Sequence, residues 1–291
     1  MKIEKEKIYY LAGGTGTEIL RRGFPTKLPL WSAQVLFDNP ELLKQIYIDY
    51  IEAGADIITT NTFRTQRRTL AKVGLSRETE RINRLAVNIA VEARNEAKAK
   101  RPVYIAGCVT TLEDCYRPDL LPTEREMKTE HREQVQLLAD TPIDFFLLET
   151  FNSFREAIIV AEEVYSTGKS FAVSFTTNEA GDILNGDRWK EAIDQLSKFH
   201  PIAILVNCVQ GGVASKALNK IKKVTSLPFG AYGNGAGEAD NKEGWKFTTA
   251  DQIENYLHHC SNWVDLGATI IGGCCGTNPD YTRAYSQLKR R

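Results

Sequence analysis

No stretch of this 291-residue sequence stays apolar for the ~18 residues that a membrane-crossing helix needs. The opening run Met1-Lys2-Ile3-Glu4-Lys5-Glu6-Lys7 lacks the apolar core of a secretory signal, so a cytoplasmic location is expected. Neither sign of charge is in excess, because 37 Lys and Arg residues balance 37 Asp and Glu residues. The basic surplus typical of a nucleic-acid binder is therefore missing, and neither nucleic acid nor a membrane is expected as a partner. Low-complexity tracts, long linkers and repeat periods are also absent, so residues 1–291 are expected to form a single domain. Cysteines are too few and too scattered for a disulfide framework. Cys108, Cys115, Cys208, Cys260, Cys274 and Cys275 read as thiols of a reducing compartment, with some available as metal ligands.

What is present is an ordinary globular composition, 42% hydrophobic and 25% charged, which argues against disorder. Eight short apolar runs stand out: Ile8 to Ala12, Asp56 to Asn61, Val103 to Cys108, Asp144 to Glu149, Phe171 to Phe175, Ala203 to Asn207, Pro228 to Tyr232 and Ala268 to Gly272. Helical periodicity fills the stretches Pro40 to Ala53, Arg77 to Lys100, Thr123 to Leu138, Ser153 to Ser166, Asp187 to Lys198, Ala214 to Val224, Ala250 to Leu266 and Pro279 to Lys289. Asn39-Pro40 supplies a cap followed by a proline at a first helical position, and Gly54, Gly74 and Gly168 stand where helices or loops should close. Strands that are apolar nearly throughout suit a parallel sheet covered on both sides. Eight βα alternations predict an α/β fold, the (β/α)8 TIM barrel, with a doubly wound open sheet as the alternative. In such a barrel the chemistry lies at the C-terminal ends of the strands.

Two of those ends carry cysteines. The sixth run ends Val206-Asn207-Cys208, and the eighth continues Ile271-Gly272-Gly273-Cys274-Cys275-Gly276-Thr277. Two strand spacings amount to about 10 Å, which inward-leaning side chains can span. Three sulfur ligands suit Zn2+ and leave a fourth tetrahedral position open, the pattern of a catalytic rather than a structural site. Gly272, Gly273 and Gly276 are expected to let the backbone bend so that adjacent cysteines share one ion. The competing reading is small buried cysteines packed at a barrel end. His258, His259 and Cys260 diverge on a predicted helix and are read as solvated or capping residues. Cys108 is placed at a strand end, lining the pocket, and Cys115 in a loop.

These motifs resemble the homocysteine S-methyltransferase family along almost the whole chain. Leu11-Ala12-Gly13-Gly14-Thr15-Gly16-Thr17-Glu18 is similar to the family's opening Asp-Gly-Gly-x-Gly-Thr-Glu turn. Pro29-Leu30-Trp31-Ser32-Ala33 resembles a segment of the single-domain members, and residues 55–63, ending Thr59-Thr60-Asn61-Thr62-Phe63, resemble the second strand end of the cobalamin-dependent module. Glu149-Thr150-Phe151 with Glu156-Ala157, Ser174-Phe175-Thr176, Asn207-Cys208 and the string Ile271 to Thr277 complete the match.

The resemblance implies a zinc-dependent barrel that methylates the thiol of homocysteine to give methionine. Cys208, Cys274 and Cys275 would act through Zn2+, with S-methylmethionine or S-adenosylmethionine as methyl donor. Glu149, Gly13, Gly14, Thr60 and Asn207 become candidate substrate contacts, and Trp31 and Phe63 candidate faces for a sulfonium. Asn207 is also expected to shape the cysteine loop by hydrogen bonding. One departure stands at Ala12, where the family usually has an Asp that helps hold the substrate ammonium; its loss would cost a few kcal/mol. This keeps other thiol acceptors open, and likewise betaine, folate or corrinoid donors. A non-catalytic zinc or thiol sensor is the reading from another class. The Gly14-Thr15-Gly16 start of a dinucleotide fingerprint fails at Ile19, leaving a tight turn whose N–H groups would favour a carboxylate. The glycine-rich segment Tyr232-Gly233-Asn234-Gly235-Ala236-Gly237-Glu238 resembles the family's Asn-x-Gly-Glu loop and is read as mobile, as close to ligand, or as a long surface turn. A homo-oligomer remains open.

Overall fold

The structure is a computed structural model that describes residues 2–240, 244–248 and 253–289. All eight apolar runs become parallel strands of one closed barrel. These are β1 (Tyr9–Leu11), β2 (Ile57–Thr59), β3 (Tyr104–Thr110), β4 (Phe145–Phe151), β5 (Phe171–Phe175), β6 (Ala203–Gln210) and β7 (Phe229–Asn234). A small antiparallel hairpin, β8 (Glu238–Asp240) and β9 (Gly244–Lys246), precedes the last barrel strand, β10 (Ile270–Gly273). β10 pairs with β7 on one side and β1 on the other, with Tyr9 opposite Ile270 and Leu11 opposite Gly272. That closure excludes the open sheet.

Helices surround the strands: α1 (Thr15–Arg21), α2 (Val35–Asp38), α3 (Pro40–Glu52), α4 (Arg67–Ala71), α5 (Thr79–Glu96), α6 (Glu124–Ala139), α7 (Phe154–Ser166), α8 (Trp189–Leu196), α9 (Gly211–Ile221), α10 (Ile253–Leu266) and α11 (Pro279–Tyr285). Their starts are chemically set. Asn39 accepts from Leu42 N–H ahead of Pro40, and Asn278 caps α11 ahead of Pro279. Thr123 and Glu126 cap α6 reciprocally. Gly54, Gly74 and Gly168 do sit at positive φ where these units close. The sequence signals did not single out α1 or the hairpin. Ala250, the expected start of the α10 helix, lies outside the described residues, and the helix is described from Ile253.

The strands alternate, as pleated strands must. Tyr9, Leu11, Ile57, Ala106, Phe145, Leu147, Ala172, Ala203, Leu205 and Ile270 fill the barrel interior. Outward residues such as Ile58, Val173, Ile204 and Ile271 pack in the larger core under the helices. Burying a side chain such as Leu147 or Leu205 contributes roughly 1.5–3 kcal/mol. Two register shifts interrupt the ladders, between Leu148 and Phe151 on β4 and between Asn207 and Gln210 on β6. Both lie at the C-terminal rim, where bulges re-aim side chains. Among the described residues no helix is long and apolar enough to cross a membrane.

Candidate functional site

Alternation along β6 turns Ala203, Leu205 and Asn207 inward and would turn Cys208 outward. The register shift and a left-handed backbone at Cys208 (φ 55°) bring this side chain into the interior cluster as well. Its Sγ lies 2.7 Å from that of Cys274, and the sulfurs of Cys208, Cys274 and Cys275 all fall within 4.8 Å of one another. Hydrogen bonds from the Cys208 and Cys275 thiols hold the Cys274 thiol well below its ordinary pKa, against the opposing effect of burial. The group is poised to give up a proton and offers a cation a soft, three-sulfur donor set.

The cysteine turn is fixed by its neighbours. Cys274 N–H donates to Gly233 O (2.7 Å), and Gly235 N–H donates to Cys275 O (2.8 Å). Gly276 adopts φ +77° and donates from its N–H to Thr17 Oγ1 (3.0 Å). Of the three glycines expected to bend this turn, only Gly276 uses its conformational freedom. Gly272 is there for close approach, since a Cβ on it would stand 2.7 Å from Leu11 Cβ, and a Cβ on Gly273 would overlap Thr277. The opening turn packs against the same element. A Cβ on Gly14 would lie 2.5 Å from Cys274 O, and one on Gly13 2.7 Å from Thr277 Oγ1. Gly14 N–H donates to Thr277 Oγ1 (3.1 Å), so this one of the turn's N–H groups is engaged within the protein. Glu18 is fully buried and bound to Arg21 and Arg22, so the acid of this motif is structural.

Glu149 ends the inward series Phe145, Leu147, Glu149 on β4. Its Oε2 accepts from the Cys108 thiol (3.2 Å). Desolvation, with the nearby Cys274 charge, pushes its carboxyl from 4.5 up to about 7. Burial and the Glu149 carboxylate in turn push the Tyr232 hydroxyl well up. Beneath the site, Asn207 Oδ1 accepts from Ser174 Oγ (2.7 Å) and Thr150 N–H (3.2 Å), while its Nδ2 donates to Thr150 Oγ1 (2.7 Å) and stands 4.0 Å from Cys274 Sγ. Above the site lies a cavity open to solvent. Trp31 (φ 44°), Thr150 (φ 62°) and Cys208, three of the four non-glycine residues at positive φ among the described residues, line it. Such conformations cost of order 1–3 kcal/mol each and cluster at functional sites.

A three-thiol group at the C-terminal rim of a (β/α)8 barrel agrees with what the motifs imply. The family model for homocysteine S-methyltransferase matches residues 10–288. The chain belongs to the homocysteine S-methyltransferase family. Homocysteine S-methyltransferase 2 of Arabidopsis thaliana is 30% identical, over 94% of this chain and 90% of its own length. A selenocysteine methyltransferase of Astragalus bisulcatus is 31% identical, over 96% of this chain and 91% of its own. The crystal structure of the homocysteine methyltransferase MmuM from Escherichia coli, in its metallated form, matches with a TM-score of 0.83 at 27% identity, covering 97% of this chain and 96% of that one.

Within this family framework, Gly13, Gly14, Trp31, Thr60, Phe63, Glu149, Cys208, Cys274 and Cys275 all line the cavity, as does Ala12. Asn207 does not line it and sits fully buried below. Thr60 reaches the cavity, but its hydroxyl already accepts from Cys108 N–H (3.0 Å). Cys108 is mid-strand under Glu149 rather than at a strand end lining the cavity. His258 is exposed and Cys260 fully buried, so that trio does not converge. The glycine-rich segment is neither a long turn nor open chain. It leaves β7 and enters the hairpin, whose Gly244 packs on Trp31. Sequence reasoning missed Arg64, Asp114, Tyr116, Tyr232 and Trp245, and it put Cys115 in a loop without placing it in the cavity wall. Tyr116 donates to Cys208 O (3.3 Å). The available signal was position, since residues 111–116 follow β3 and barrel loops of this kind build sites.

Proposed function

We propose that this chain is a zinc-dependent thiol methyltransferase that moves the methyl group of S-methylmethionine or S-adenosylmethionine to homocysteine, forming methionine. The observation that carries the reading is the gathering of the Cys208, Cys274 and Cys275 sulfurs within 4.8 Å at the cavity. Sulfur ligands about 2.3 Å from tetrahedral zinc stand about 3.8 Å apart, so Cys208 and Cys274, 2.7 Å apart here, would separate by about 1 Å around the ion. The similar Escherichia coli enzyme exists in a metallated form. When bound, Zn2+ supplies a positive centre that favours the acceptor as thiolate over thiol at neutral pH.

The chain's own residues do the rest. Glu149 faces the acceptor ammonium, and Cys108 orients its carboxylate. Asn207 locks the β4 and β6 bulges so that Thr150 and Cys208 keep their strained backbones. Trp31 and Phe63 meet edge-on with ring centres 6.2 Å apart and offer aromatic faces to a sulfonium cation. The acceptor sulfur forms its bond to the methyl carbon as the donor S–CH3 bond breaks, and the donor leaves as a neutral thioether. Holding both reactants in one cavity supplies much of the rate. A reducing compartment such as the cytoplasm suits the free thiols.

A second acceptor class is favoured by Ala12, which lines the cavity where the family usually has Asp, and by the relative that methylates selenocysteine. The test supplies zinc-loaded protein with homocysteine or selenocysteine and with sulfonium, betaine or folate donors, and measures the methylated product. Turnover from a sulfonium is expected. Cys274→Ala should lose both the metal, by elemental analysis, and the activity; retained turnover would overturn the zinc reading.

A further inference from the structure

Among the described residues that line the cavity, Arg64 is the sole cation, and Asp114, Glu149 and Asp240 are the acids. It follows β2 directly after Phe63. Its guanidinium carbon stands 5.5 Å from the Phe63 ring centre, and Phe63 in turn meets Trp31. Stacking on an aromatic face fixes the guanidinium plane. The Nε of Arg64 is buried and has no hydrogen-bond partner among the described residues. Arg68, four residues on and inside α4, differs in this respect: Glu113, Glu126 and Glu130 surround its guanidinium. A cavity-lining guanidinium with no ion pair among the described residues suits an anionic ligand, and its terminal Nη pair can meet a carboxylate with two parallel hydrogen bonds.

We infer that Arg64 binds the carboxylate of the methyl donor, so that the donor is a carboxylate-bearing sulfonium. The inference rests on the methyl-transfer reading above and assigns the second substrate its anchor. Both reactants carry a carboxylate, and position chooses between them. The acceptor belongs with the sulfurs and with Glu149, which feels the Cys274 charge. Arg64 belongs to the Phe63–Trp31 corner, where a sulfonium meets aromatic faces. A sulfonium without a carboxylate would meet an unpaired guanidinium of its own sign. A donor carrying both charges turns that repulsion into binding, with the carboxylate on Arg64 and the sulfonium on the rings.

The experiment is calorimetric titration of the zinc-loaded protein with S-methylmethionine and with its carboxamide, which keeps the sulfonium and removes the anion. The parent should prefer the carboxylate form. Arg64→Gln should weaken S-methylmethionine by roughly 10- to 100-fold and leave the carboxamide within about twofold. Arg64→Lys, which keeps the charge and loses the fork, should fall between. In turnover assays the donor KM should rise while the homocysteine KM stays put. Equal losses for both titrants, no loss in either variant, or a shift confined to the homocysteine KM would overturn the inference. Failure of the methyl-transfer reading looks different, because S-methylmethionine would then bind with its Arg64-dependent preference and give no product.

Discussion

Replacing Glu149 with Gln isolates the electrostatic cost of keeping an acid beside three thiols. In the folded, metal-free protein its carboxyl titrates at about 7 instead of 4.5, because protein surrounds it and the Cys274 charge is near. That displacement corresponds to about 3 kcal/mol. Glu149 is partly open to the cavity, and water there offsets some of the cost, so a net of about 1–3 kcal/mol is expected. The sign follows from proton linkage. Well below pH 4.5 the carboxyl is protonated in both folded and unfolded chains and costs nothing. Between 4.5 and about 7 the unfolded chain releases a proton that the folded chain keeps, so stability falls as pH rises and then levels off. Glu149→Gln removes this slope. Urea unfolding of chelator-treated parent and variant should give similar midpoints at about pH 3.5 and a variant more stable by about 1–3 kcal/mol at pH 8. Titrating groups remote from Glu149 are common to both proteins and cancel in the difference, whereas Cys108, Cys274 and Tyr232 feel its charge and do not cancel fully. A stability difference that stays constant with pH, or one that grows in favour of the parent, would refute the reasoning. The same substitution should weaken homocysteine binding at pH 8, where the parent presents a full negative charge to the ammonium.

Two further perturbations separate the scaffold of the site from its ligands. Asn207→Ala removes the bonds to Ser174 and Thr150 and leaves buried groups unpaired. It should cost about 2–4 kcal/mol in urea unfolding and lower metal affinity although every cysteine is intact; parent-like stability would contradict the bracing role. Gly14→Ala places a methyl group 2.5 Å from the Cys274 carbonyl oxygen, so the cysteine turn must move. Competition with a chromophoric chelator should show at least roughly tenfold weaker metal binding, a loss of about 1.4 kcal/mol, and unchanged affinity would show that the turn relaxes freely.

The barrel was legible because parallel strands covered on both faces have little use for polar residues, and eight runs such as Phe171–Phe175 therefore stand out. The cysteine group was legible for a related reason, since the strand ends locate the rim. What the sequence hides is geometry that local preference opposes. Thr150 and Cys208 favour extended backbone, and only pairing with neighbouring strands holds them at positive φ, so neither bulge has a local signal. The hairpin is short, and its β8 strand, Glu238–Asp240, carries two acids and looks like loop. Arg64 reads as an ordinary solvated cation until the fold sets it against Phe63 at the cavity wall. The glycines of the opening turn were read for the N–H groups they expose, whereas their missing side chains are what the cysteine turn requires.

That last contact joins segments far apart in the sequence. Residues 13–17 lie against residues 274–277, across the seam where the first barrel strand meets the last. Two of the three sulfurs are therefore shaped by a turn that lies 259 residues earlier in the sequence. The three-sulfur arrangement is therefore expected to depend on closure of the ring between β1 and β10. A substitution that loosens this seam should weaken metal binding with every cysteine intact.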